Sequence, residues 1–163
     1  MCNMGDNHNY IQILVSTLQK QVDVLKEILE LTKEQRKIAE ATCFDESMLE
    51  RTLNRKEVLI VKLNELDNGF VSVYGRVRKE VKEHKELYKT ELQQLQKLIT
   101  ECTDLGVEIK VLEERNRERL TQCFSGKHKE YGAQRTAANV ASRYHQTMHN
   151  TKMADSYFFN KKK

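Results

Sequence analysis

Apolar residues recur along the first quarter of the chain at steps of three and four. Ile11, Leu14, Leu18, Val22, Leu25, Ile28 and Leu29 are separated by Lys20, Asp23, Lys26, Glu27 and Glu30. That period puts an apolar stripe on one side of a helix and charge on the other. The stripe fades after Ile38, which predicts a helix over about 10–42. Start signals return near residue 44. Asp45 can cap a new helix with Phe44 stapled onto Leu49, and Ser47-Met48-Leu49-Glu50 also reads as a capping box. A second stripe runs through Leu49, Leu53, Leu59, Leu63, Leu66, Phe70, Val73, Val77 and Val81. A third runs through Leu92, Leu95, Ile99, Cys102, Ile109, Leu112 and Leu120.

The break between the second and third stripes needs a geometric argument. Asp67-Asn68-Gly69 looks like a turn, whereas Lys82 to Lys89 contains only good helix formers. A break at Gly69 would leave one helix of about 80 Å without matching neighbours, while a break near residues 82–88 yields three helices of roughly 50 Å each. Matched lengths favour the later break and predict helices over 46–82 and 87–124. The expected fold is all-α, an elongated antiparallel three-helix bundle or coiled coil. Gly69, Gly75 and Gly106 then fall inside helices, at about 1 kcal/mol each relative to alanine. Each buried Leu, Ile or Val contributes about 1.5–3 kcal/mol, so the stripes override those penalties. On its stripe, Gly106 reads as a close helix crossing or a kink.

The character of the chain changes at Ser125-Gly126. From Ser125 onward there are 8 basic and 2 acidic residues, against 28 and 24 in the whole chain. We therefore divide it into a helical body, 1–124, and a basic C-terminal tail, 125–163, that is flexible or partly helical. Ala137, Val140, Ala141, Tyr144 and Met148 sit at helical spacing, which predicts a short helix near 134–149. About three turns is marginal in isolation, so that helix is conditional on a partner. Tyr157, Phe158 and Phe159 place three large apolar side chains near the C-terminus, more than their own short segment can bury. Either they fold back onto the bundle or they dock on another surface.

Composition narrows the function classes. With 163 residues, 32% charged and 39% apolar, the chain suits one rod-like domain better than a thick globule. No stretch approaches the roughly 20 apolar residues of a membrane helix, and Met-Cys-Asn-Met-Gly-Asp signals neither secretion nor myristoylation. A cytoplasmic location is expected, with no stable membrane insertion. Cys2, Cys43, Cys102 and Cys123 are too far apart for a redox or zinc motif, so reduced thiols are expected, Cys102 and Cys123 acting as small hydrophobes. His145 and His149 have helical zinc spacing but no local third ligand, so no metal is assigned. Phosphate-binding glycine loops and nucleophile motifs are missing, so neither a cofactor nor catalysis is expected. The tail's charge and its aromatic residues Tyr131, Tyr144, Tyr157, Phe158 and Phe159 raise nucleic-acid binding. Its basic residues are scattered singly before Lys161-Lys162-Lys163, however, and no recognition fold accompanies them, so no nucleic acid is assigned.

Three segments resemble the FlgN family of flagellar export chaperones, in its clostridial-type forms. They are Arg55-Lys56-Glu57-x-Leu59-Ile60-x-x-Leu63 with Leu66-Asp67-x-Gly69-Phe70 and Tyr74-x-x-Val77; Leu112-Glu113-x-Arg115-Asn116; and the ending Asp155-Ser156-Tyr157-Phe158-Phe159-Asn160-Lys161-Lys162. Asn160 stands where the family usually has aspartate. The resemblance implies a cytoplasmic, non-enzymatic type III chaperone that holds the hook-filament junction (hook-associated) proteins, prevents their premature assembly and presents them to the export gate. Under that reading Val140, Ala141, Tyr144 and Met148 form one apolar face against cargo helices, and Tyr157, Phe158 and Phe159 add a second anchor. Two alternatives stay open: a structural coiled-coil module, and a chaperone for another type III secreted protein. The stripes are compatible with a monomeric bundle or with a homodimer.

Overall fold

The computed structural model describes the backbone of residues 4–126 and the side chains of residues 7–124. Three helices make up that part of the chain: α1 Met4–Glu40, α2 Glu46–Glu83 and α3 Lys89–Gly126. They contain 37, 38 and 38 residues, so each is about 57 Å long. The break between α2 and α3 falls at residues 84–88, as the length-matching argument requires.

Pairing across the helices gives the topology. Gln35 meets Thr52 and Glu27 meets Arg55, so α1 and α2 are antiparallel. His8 lies beside Glu91, Lys26 beside Glu101, and the Thr32 carbonyl beside Asn116, so α1 and α3 are parallel. The bundle is therefore up-down-up. Helix α1 runs close against both neighbours, whereas the backbones of α2 and α3 stand further from each other and are joined by long side chains.

The three stripes fill the core in two blocks. The larger holds Ile11, Leu14, Leu18, Val22, Leu25 and Ile28 of α1 against Leu59, Leu63, Phe70, Val77 and Val81 of α2 and Leu95, Leu98, Cys102 and Ile109 of α3. The smaller holds Ile38, Ala39, Leu49, Leu53 and Leu120, with Phe44 and Phe124 packed against it.

Local signals decide the helix ends. Asp45 is the N-cap of α2, with extended backbone and a side-chain oxygen that accepts from Met48 N at 3.2 Å. At the other turn, His84 N donates to Glu80 O at 3.0 Å and closes α2, and Leu92 N donates to Tyr88 O at 2.8 Å as α3 begins. Helix α1 starts at Met4, ahead of the expected residue 10, because tertiary contacts hold the turn before the stripe. Asn7 is buried, His8 lies 3.8 Å from Glu91 of α3, and the Arg76 guanidinium lies 5.9 Å from the centre of the Tyr10 ring. Helix α2 passes straight through Asp67-Asn68-Gly69: Asp67 is buried, and the buried Phe70 stacks on Tyr74 at 6.0 Å.

Candidate functional site

Between the two apolar blocks lies a polar layer to which each helix contributes two residues. Thr32 and Gln35 come from α1, Thr52 and Lys56 from α2, Glu113 and Asn116 from α3, all buried. Spacings of three and four put each pair on one helix face at the same level of the rod. Lys56, 0% exposed, forms an ion pair with Glu113, 2% exposed, and its ammonium also donates to Gln35 Oε1 at 3.0 Å. The Gln35 amide donates to Thr52 Oγ1 at 3.1 Å, and that hydroxyl donates to Leu49 O at 2.7 Å. Thr32 donates to Ile28 O at 2.7 Å and stands 3.4 Å from Glu113 Oε1, while Asn116 Nδ2 donates to Thr32 O at 2.9 Å.

Burial pushes the Lys56 ammonium below the usual lysine range, and the Glu113 charge and hydrogen bond oppose that shift. With Lys56 and Glu113 both sealed in the core, the pair has no face to offer a substrate. What it does is set register: sliding α2 or α3 by one turn would put Lys56 or Glu113 into an apolar block without its counter-charge, and sliding α1 would take Gln35 away from Lys56. The sequence reading missed this layer. Its signal was a polar residue standing on all three stripes, Gln35 before Ile38, Lys56 between Leu53 and Leu59, and Glu113 between Ile109 and Leu120.

One end of the rod is where the tail departs. There Phe44, from the α1–α2 turn, meets Phe124 edge to face at 5.6 Å and 88°, and Cys123 Sγ lies 3.5 Å from the Ala39 carbonyl. Phe44 thus sits in the same block as Leu49, as a staple would. Cys43, Cys102 and Cys123 are free thiols. Cys102 is buried among apolar side chains, which pushes its thiol up to about 12. Glu80, Glu83 and His84 bring ligand atoms within 4.8 Å of one another, but this is a largely exposed group with His84 already 3.9 Å from Glu80. The expected partner-binding residues Val140, Ala141, Tyr144, Met148, Tyr157, Phe158 and Phe159 lie outside the described residues, as do the helix expected near 134–149 and the His145/His149 pair.

A family model described as FlgN protein matches residues 4–146. The chain belongs to the FlgN family. FlgN proteins are flagellar export chaperones, a family of chaperones and not of enzymes, and that general role extends to this chain. No curated protein and no solved structure matches it. The FlgN match takes in all three helices and continues over Val140, Ala141 and Tyr144, ending before Met148 and the aromatic triplet. Two segments that carried the resemblance, around Lys56 and around Glu113 and Asn116, are 57 residues apart at the Lys56–Glu113 pair and meet in the polar layer. No helix among the described residues is long and apolar enough to cross a membrane.

Proposed function

We propose that this FlgN-family chain is a cytoplasmic, non-catalytic chaperone of the hook-filament junction proteins, which it keeps from assembling early and delivers to the flagellar export gate. The observation that carries the reading is the family match, which spans residues 4–146 and so takes in the helical body and part of the tail. The construction of the body supports it. Its apolar stripes cover one another within a single chain, which favours a monomeric scaffold with its client contact elsewhere. The client contact is the basic tail, residues 125–163. Val140, Ala141, Tyr144 and Met148 fold as one apolar helix face against the amphipathic termini of the client, and Tyr157, Phe158 and Phe159 form a second anchor. Ordering the tail on binding costs conformational entropy, which holds affinity to the micromolar-to-nanomolar range and permits release at the gate.

Titration calorimetry with a junction protein of the same organism tests this, using the full chain and a chain ending at Gly126 whose helicity is checked in parallel. Binding by the full chain and its loss with the tail is the expected result. Equal binding by both would move the client site onto the body. No binding by either would overturn the reading in favour of a structural coiled coil or a chaperone of another secreted protein.

A further inference from the structure

We propose that the groove between the C-terminal halves of α1 and α3 is a second client contact, one that receives a helical segment carrying carboxylates beside an apolar stripe. The proposal rests on the chaperone reading above and adds a surface of the body to it. Two adjoining hollows of about 640 and 330 Å³ share Arg36, Glu40 and Arg115 and so form one groove. Along α3 it extends from Glu108 to Gln122, roughly 21 Å, which accommodates about four turns of helix. Val111 and Leu112 supply the apolar part of its wall, and Val111 remains 44% exposed.

Charge selects the occupant. The groove is lined by five cations and three carboxylates. Glu40 is taken up by Arg36 at 3.1 Å along α1. Lys37, Arg115 and Arg119, like the carboxylates Glu108 and Glu118, make no hydrogen bond or ion pair with any described residue, which leaves the groove with an excess of positive charge. That positive excess beside an apolar wall fits the flanks of an acidic amphipathic helix. The chain's own tail carries 8 basic and 2 acidic residues, so like charge argues against it as the occupant. Arg115 is informative here. In Leu112-Glu113-x-Arg115-Asn116 the other three named residues are buried, while Arg115 faces the groove and takes no part in the polar layer. The groove also ends at Gln122, close in the chain to Ser125, where the tail begins, so a client held by the tail would lie within reach of it.

The experiment uses the full chain and a purified junction protein of the same organism, with affinity measured over a series of salt concentrations. Lys37→Glu/Arg115→Glu is expected to weaken binding at least about tenfold at low salt and to flatten its salt dependence. The control Arg78→Glu/Lys79→Glu, on exposed α2 positions, is expected to bind within about twofold of the parent. Thermal unfolding of both variants establishes that each folds. Parent-like binding by Lys37→Glu/Arg115→Glu, or equal weakening by the control, would overturn the groove and leave the chaperone reading standing. Failure of the parent chain to bind would overturn both.

Discussion

Replacing Lys56 by methionine keeps most of the side-chain volume but leaves the Glu113 carboxylate in the core without its counter-charge. Removing one member of a buried pair costs about 3–5 kcal/mol, and the full burial of both groups puts this pair in that range. Glu113→Leu strands the ammonium instead and carries a similar cost. The double variant Lys56→Met/Glu113→Leu removes both charges, leaving chiefly Gln35 Oε1 without the donor it had at 3.0 Å, an orphaned acceptor worth about 1–3 kcal/mol. The single losses would sum to about 6–10 kcal/mol, so the double-mutant cycle is expected to show a coupling of at least about 3 kcal/mol. Urea unfolding followed by far-ultraviolet circular dichroism measures all four corners. A single domain has only about 5–15 kcal/mol in total, so each single loss is a large share of it, and each single variant is expected to unfold at a lower urea concentration than the double variant. Additive losses, or a Lys56→Met variant within about 1 kcal/mol of the parent, would refute the burial argument.

Gly69→Ala and Gly75→Ala are each expected to stabilise the bundle by about 0.5–1 kcal/mol, because an added methyl meets nothing within 4 Å at either position and helix propensity then acts alone; chemical denaturation of each variant measures it. Asp45→Ala should cost about 1 kcal/mol in the same assay through loss of the cap on Met48 N, and Asp45→Asn should retain most of it. With its thiol raised from 9.0 to about 12, Cys102 should form thiolate about a thousandfold less than an ordinary cysteine at pH 8, so labelling mapped by mass spectrometry should reach exposed Cys43 first and Cys102 only on unfolding. The same shift stabilises the fold fully below pH 9. The stabilisation is lost as pH rises toward 12, a decline that Cys102→Val should lack.

The stripes made the architecture legible because burial acts through period, and period survives local exceptions. Asp67-Asn68-Gly69 and Gly75 contradict helix locally, yet α2 runs through them, since Leu63, Phe70 and Val77 must all face α1 and α3. The break at residues 84–88 was read from equal lengths and not from turn chemistry, which Lys82 to Lys89 lacks. Lys56 and Glu113 were legible only as parts of a resemblance. A lone lysine on a stripe looks like an interruption until the partner helices are brought alongside, and then Gln35 and Glu113 prove to stand at the same level. The start of α1 escaped for a related reason: the partners of His8 and Tyr10 are Glu91 and Arg76, which no local window contains.

The position of α1 between its two neighbours has a consequence for the order in which the chain is made. During synthesis α1 and α2 emerge first and can close as a hairpin, but the counter-ion of Lys56 lies 57 residues downstream. Glu113 follows the end of α2 at Glu83 by 30 residues, so at about 5–20 residues per second the completed hairpin waits roughly 1.5–6 s for it to leave the ribosome. Throughout that interval the Lys56 ammonium, with Gln35 beside it, would stay hydrated between two apolar blocks, where a charge disfavours association with other nascent chains. The arrival of α3 then neutralises it and closes the seam, so the same residue that fixes register in the finished rod protects its unfinished half.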